Sequence, residues 1–194
     1  MRALFFIFTS IFLIFSLSAC GQATTKSLNT SSTTTSDSLT FPDSWTGIWE
    51  GELQISNAKG IAQRIPMALE ILPTKDDSTY TWAIIYGEDR EKGKRDYLLE
   101  VVDREKGLYV VDEQNTIALE AYLFGNKFYS GYLVAGNYIL IVYSKIGDEL
   151  HFEVVAGKET PVSITGNEKH NGEDIPEVKT FPVTAVQHAI LKKN

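Results

Sequence analysis

The stretch from residue 125 to 148 reads GNKFYSGYLVAGNYILIVYSKIGD and decides the fold class of this chain. Three Gly-Asn or Gly-Asp pairs recur in it every eleven residues: Gly125-Asn126, Gly136-Asn137 and Gly147-Asp148. Glycine adopts positive φ without steric cost and Asn or Asp tolerates the left-handed region, so each pair suits a two-residue hairpin turn. The segments between the pairs are each about one strand long. This section is therefore predicted to be an antiparallel meander.

The alternation of apolar and polar residues continues on both sides of this stretch. It has a period of two in residues 46–55, 64–72, 79–86, 97–101 and 117–123. Each segment is therefore predicted to be a strand with one core face and one mostly wet face. About nine or ten strands fit between residues 46 and 156, and twist and exposed edges favour closure of so large a meander. The sequence predicts an all-β domain, an antiparallel up-and-down meander closed into a barrel.

Residues 183–191, VTAVQHAIL, allow two interpretations. Val183, Val186, Ala189 and Ile190 are spaced as they would be on one face of a helix. As a strand, the same segment would complete the barrel. We prefer the closing strand.

The tripeptide Gly47-Ile48-Trp49 lies on the first predicted strand, shortly after a polar segment. This Gly-x-Trp resembles the opening signature of lipocalins and of the wider calycin group, which includes avidin-like and nitrobindin-like barrels. The resemblance implies that Trp49 closes the base of the barrel and stacks under a basic residue near the C-terminus, here Lys192 or Lys193. It also implies an open end that accepts a small, usually apolar ligand.

The N-terminus has the form of a secretory signal peptide. Met1-Arg2 precedes an apolar run from residue 3 to 16, shorter than the roughly 20 residues that a membrane-spanning helix needs. The run ends in Leu17-Ser18-Ala19-Cys20, which resembles the lipobox of bacterial lipoproteins. The resemblance implies cleavage after residue 19 and a lipid on the thiol of Cys20, the only cysteine in the chain. Two or three acyl chains would anchor the protein stably.

Residues 20–41 are rich in Ser and Thr and poor in large apolar residues. Such a segment buries too little surface to offset its ordering entropy, so a flexible tether is predicted there and a barrel domain at 42–194. In the Gram-negative lipoproteins that this N-terminus resembles, an Asp directly after the lipidated Cys is an inner-membrane retention signal. Gly21 stands at that position, which favours the outer membrane, facing the periplasm, if the source is Gram-negative.

The charge and the motifs exclude several function classes. Twenty-five acidic against eighteen basic residues give a formal net charge of −7, which does not supply the basic field that nucleic acids demand. No Gly-x-Ser-x-Gly elbow, phosphate loop or dinucleotide fingerprint is present. His151, His170 and His188 show no metal-ligand spacing. We expect a non-enzymatic protein that needs neither metal nor cofactor.

The candidate ligand-lining residues are aromatic side chains that share predicted faces with aliphatic residues: Trp49, Tyr80, Trp82, Tyr86, Phe128, Tyr132, Tyr138 and Phe152. A mouth lined in this way suits an apolar or amphipathic ligand, although a small barrel can also be filled by its own side chains.

The leading hypothesis is a lipid-anchored, extracytoplasmic, lipocalin-like protein that binds a small hydrophobic or envelope-derived ligand. The alternative is a protein-interaction or envelope-assembly or inhibitor module with a solidly packed barrel. Ile48, Ile85 and Ile139 are predicted to be exposed apolar positions and favour that alternative.

Overall fold

The computed structural model describes residues 40–194, in which strand is the dominant element. The strands are β1 Gly47–Asn57, β2 Gly60–Ile71, β3 Thr79–Tyr86, β4 Lys94–Asp103, β5 Leu108–Asp112, β6 Ala118–Phe124, β7 Lys127–Val134, β8 Asn137–Ile146, β9 Glu149–Lys158, β10 Ser163–Thr165, β11 Glu168–His170, β12 Glu173–Ile175, β13 Val178–Thr180 and β14 Val183–Lys193. Strands β1 to β9 and β14 form one closed, antiparallel, up-and-down barrel of ten strands. The predicted lipocalin- or calycin-like barrel fold is confirmed. The predictions for residues 1–39, including Cys20 and most of the tether, lie outside the described residues.

Strand β14 closes the barrel by pairing with both β9 and β1. Its inward side chains Ala185, Ala189 and Leu191 are buried, which confirms the closing strand. Val186 and Ile190 lie on the outer wall and are about 40% exposed. The helix-like spacing in the sequence therefore came from apolar residues on two opposite faces of one strand.

One end of the barrel, where β1 begins and β14 ends, is sealed; we call it the closed end. Residues 41–46 fold across it, with a 3₁₀ turn at Asp43–Trp45. The ring of Phe41 lies 4.8 Å from that of Trp45 and 4.9 Å from those of Tyr109 and Phe128, centroid to centroid. Phe41 was assigned to the tether, but it is buried in the core, so the domain begins before residue 42.

Hydrogen bonds join residues 41–46, which we call the plug, to the strands around them. The indole N–H of Trp49 donates to the carbonyl of Trp45 at 2.8 Å. The guanidinium of Arg104, after β4, donates to the carbonyl of Phe41 at 2.8 Å. The hydroxyl of Tyr80 donates to the carboxylate of Asp43 at 2.5 Å. These hydrogen bonds and the aromatic packing therefore keep the closed end sealed.

The turns follow the sequence prediction with one displacement. Gly125 and Gly147 take positive φ at the first central position of the β6–β7 and β8–β9 turns, as a tight hairpin requires. Between β7 and β8, however, Val134 pairs with Asn137, so the turn is Ala135-Gly136 rather than Gly136-Asn137. Both turn residues have positive φ. The turn lies one residue earlier than predicted.

Two further features leave the barrel wall. Between β9 and β14, strand β10 pairs with β13 and β11 with β12, which forms an exposed two-stranded arm. The charged loop after β3 contains a single helical turn, Arg90–Gly93 (α1), capped by the side chain of Asp89. Within residues 40–194, no helix has the length and apolar character needed to cross a membrane.

Candidate ligand site in the open half of the barrel

The half of the barrel farthest from the closed end, where β3 ends and β4 begins, is called the open half. Five of the eight candidate ligand-lining residues do not lie there but fill the closed half: Trp49, Tyr80, Trp82, Phe128 and Phe152. None of the five is more than 4% exposed. Their rings pack on one another, with Trp82 and Phe128 centroids 5.3 Å apart. These residues therefore form the packed core rather than the wall of a cavity.

Tyr138 lies on the outer face of β8, so its prediction as an inward residue is wrong. Its hydroxyl donates to the carbonyl of Pro182 at 2.7 Å, and its ring contacts Phe181, which fixes the base of the arm to the wall. Ile139, predicted to be exposed, points inward opposite Tyr132 and is buried. Both errors have one cause: residues paired across a two-residue hairpin are one even-numbered and one odd-numbered. An inward Tyr132 therefore places the odd-numbered residues of β8 on the inner face and Tyr138 on the outer face.

The other positions predicted as exposed apolar residues are also covered. Ile85 faces the outer wall but is only 3% exposed, and Ile48 is half-buried. Among the barrel strands, the most exposed large apolar residues are Phe124 on β6 and Leu133 on β7, each 65% exposed. The rings of Phe124 and Tyr122 stack at 6.5 Å.

The open half keeps two of the predicted residues, Tyr86 and Tyr132, and adds a third tyrosine, Tyr97. All three point inward and are only half-buried. Among the described residues, no hydrogen-bond partner is present for the hydroxyl of Tyr86 or of Tyr97. Every side-chain nitrogen or oxygen sealed from solvent in this part of the chain does have a partner. Solvent therefore reaches these two hydroxyls from the open half.

Electrostatics keep these hydroxyls protonated. Burial raises the pKa of Tyr86, and the nearby Tyr97 raises it further, while the charge of Arg95 opposes the shift. Burial also raises the pKa of Tyr97 and of Tyr132, and the carboxylate of Glu113 adds to both shifts. The three groups remain neutral at physiological pH and act as hydrogen-bond donors there.

Arg95 adds a cationic side chain to the inward polar residues of the open half. It occupies an inward position of β4, opposite Ile84. One guanidinium nitrogen, Nη1, donates to the carbonyls of Lys92 and Lys94 at 3.3 and 2.8 Å. No carboxylate within residues 40–194 forms an ion pair with it. The alternation Arg95, Tyr97, Leu99 is present in the sequence, but Arg95 also belongs to the charged run GEDREKGKRD at residues 87–96, which favours a solvent-exposed loop.

A cleft of about 690 Å³ lies on the outside of the closed end. The ring of Trp49 borders it, with the ammonium groups of Lys145 and Lys193 at 5.1 and 5.6 Å from the ring centroid. Lys193 therefore makes the contact that the lipocalin resemblance implied, and Lys145 joins it. Both cations lie within the range of a cation–π interaction.

In the part of the chain that the structure covers, no three His, Cys, Asp or Glu side chains come together as metal ligands would. His151 and His188 lie 6.3 Å apart, ring to ring, and His151 contacts the carboxylate of Glu149 at 3.2 Å. Both histidines belong to the outer face of their strands.

Neither a protein-family model nor a curated protein sequence matches this chain. The function is therefore inferred from the geometry of the barrel.

Proposed function

We propose that this protein binds a small hydrophobic or envelope-derived molecule in the open half of its barrel. The observation that carries the proposal is the solvent-reached pair of hydroxyls, Tyr86 and Tyr97, inside a barrel whose other end is sealed. An enclosed apolar space with a few polar groups is the usual form of a small-molecule site. Within the barrel, Ile65, Ile139 and Ile141 supply apolar wall in the same half.

A seam between β6 and β7 supports the same proposal as a route of entry. Their register runs only from Tyr122 opposite Tyr129 to Phe124 opposite Lys127, near the closed end. Farther along, the hydroxyl of Ser130 donates to the carbonyl of Glu120 at 3.1 Å. Fewer backbone hydrogen bonds therefore join β6 and β7 in the open half. We expect local opening of the barrel wall to cost the least free energy there.

Leu119 lies inward on β6 at this seam, and its replacement tests the site. We expect Leu119→Trp to fill the accessible space and to weaken binding of a pyrene-labelled twelve-carbon chain at least tenfold, which corresponds to about 1.4 kcal/mol. Ala118→Trp is the matched control, because the neighbouring residue faces out of the barrel and its variant should bind as the wild type does. Fluorescence titration gives both affinities.

Equal affinity of the Leu119 and Ala118 variants would contradict the proposed site. If the wild type bound no probe at all, the barrel would be packed solid and the interaction module would remain. The outer patch around Phe124 and Leu133 would then be the surface to examine for a protein partner.

We further propose that the protein acts as a lipoprotein of the cell envelope, anchored through Cys20, and that in a Gram-negative cell it faces the periplasm from the outer membrane. The lipobox-like Leu17-Ser18-Ala19-Cys20 supports this location. Cys20→Ser should move the protein to the soluble fraction or leave an uncleaved precursor, which fractionation and intact-mass measurement detect. Ser18→Ala, which keeps a small residue before the thiol, is the control. Unchanged membrane fractionation and mass of the Cys20 variant would refute lipidation.

A further inference from the structure

The polar groups of the open half converge on the wall formed by β3 and β4. Arg95 stands opposite Ile84, and Tyr97 stands opposite Trp82. Tyr86 follows Ile84 by two residues and therefore lies on the same inner face, diagonal to Arg95. One guanidinium and two hydroxyls thus share a small area of the inner wall.

These three side chains have hydrogen-bonding capacity that the described residues leave unused. Only Nη1 of Arg95 is engaged within the described residues, so donors on Nε and Nη2 remain, along with the hydroxyls of Tyr86 and Tyr97. A carboxylate accepts several such bonds, and charge-assisted bonds are about twice as strong as neutral ones. An alcohol or an ester would leave the guanidinium charge without a counter-ion.

The carboxylate of Glu113 limits how much negative charge a ligand of this site can carry. Glu113 lies close enough to Tyr97 and Tyr132 to act on both hydroxyls, and its carboxylate accepts from the side chain of Asn115 at 3.2 Å. Its charge repels a polyanion such as a diphosphate more strongly than a single carboxylate. The balance favours one negative charge, placed on the Arg95 side of the barrel.

We propose that the open half binds an apolar-tailed monocarboxylic acid, with its carboxylate held by Arg95, Tyr86 and Tyr97 and its tail among the inward aliphatic residues. This inference rests on the proposed function, because it names the ligand class of the same site. A fatty acid of medium length has this chemistry.

The test compares dodecanoate with dodecanol, which share the tail and differ in the charge of the head. The wild type should bind dodecanoate at least tenfold more tightly, measured by displacement of the pyrene-labelled chain. Arg95→Gln should abolish that preference while leaving the dodecanol affinity unchanged. Arg64→Gln is the matched control: Arg64 lies on the outer face of β2, paired with Glu52 at 3.2 Å, and its variant should keep the preference.

Tyr97→Phe serves as a second variant if Arg95→Gln fails to fold, and it should weaken dodecanoate binding about threefold without affecting dodecanol. Equal binding of both compounds by the wild type, with Leu119→Trp still blocking them, would overturn the carboxylate inference and leave the proposed function standing. Absence of binding by either compound would overturn both.

Discussion

Trp49→Ala is expected to lower the free energy of unfolding by about 3–5 kcal/mol, the usual cost of removing a large aromatic side chain from a core. Trp49 is 1% exposed and sits between the plug and the barrel. The variant leaves a cavity at the closed end and removes the hydrogen bond to the carbonyl of Trp45. It also removes the ring beneath Lys145 and Lys193.

Trp49→Phe separates these contributions, because it keeps most of the apolar volume and loses the indole N–H. Its expected cost is about 1–2 kcal/mol, close to that of one buried hydrogen bond with a small volume change. Urea unfolding followed by far-ultraviolet circular dichroism measures both variants without relying on tryptophan fluorescence. A loss below about 1 kcal/mol for the alanine variant would show that Trp49 does not seal the barrel.

Gly51→Ala is expected to cost about 3 kcal/mol, at the upper end of the range for overpacking. An added Cβ would lie 2.3 Å from the backbone carbonyl oxygen of Ile190, on the strand that closes the barrel. That oxygen belongs to the β1–β14 ladder and cannot rotate away as a side chain would. The variant must therefore displace the closing pair of strands.

Gly131→Ala is the matched control, since this glycine also lies within a strand and has no positive φ. There, an added Cβ would lie 3.6 Å from the nearest atom, an ordinary contact. Its stability should be unchanged or higher by up to about 1 kcal/mol, because alanine restricts the unfolded chain. Equal urea midpoints for the Gly51 and Gly131 variants would contradict the tight β1–β14 contact.

The barrel was predictable from the sequence because the signals for its strands and turns lie within short stretches of neighbouring residues. A period of two and repeated Gly-Asn or Gly-Asp pairs specify strands and tight turns without reference to distant residues. The displaced turn at Ala135-Gly136 shows one limit: glycine marks a turn but does not fix its first residue. The exchanged faces of Tyr138 and Ile139 show another, because apolar residues occupy both faces of β8 and alternation alone does not identify the inward one. The short strands of the arm gave no periodic signal, because three residues are too few to establish one.

The candidate site was less predictable, because it depends on which inward side chains pack and which leave space. The sequence places Trp82, Phe128 and Tyr86 on inner faces alike. Phe41, folded in from the N-terminal side, packs on the first two together with Tyr109 and Tyr143 and so encloses them. Arg95 was hidden for a different reason, since its inward position lies inside a run of charged residues that otherwise face solvent.

The central claim, that the open half holds an apolar-tailed ligand, is tested most directly by crystals of the full chain soaked with 12-bromododecanoic acid. The account predicts one anomalous bromine peak inside the barrel, among Ile65, Ile139 and Ile141, with the carboxylate in contact with Arg95. Bromine peaks confined to the outer wall, with the hydroxyls of Tyr86 and Tyr97 packed dry against protein, would contradict it.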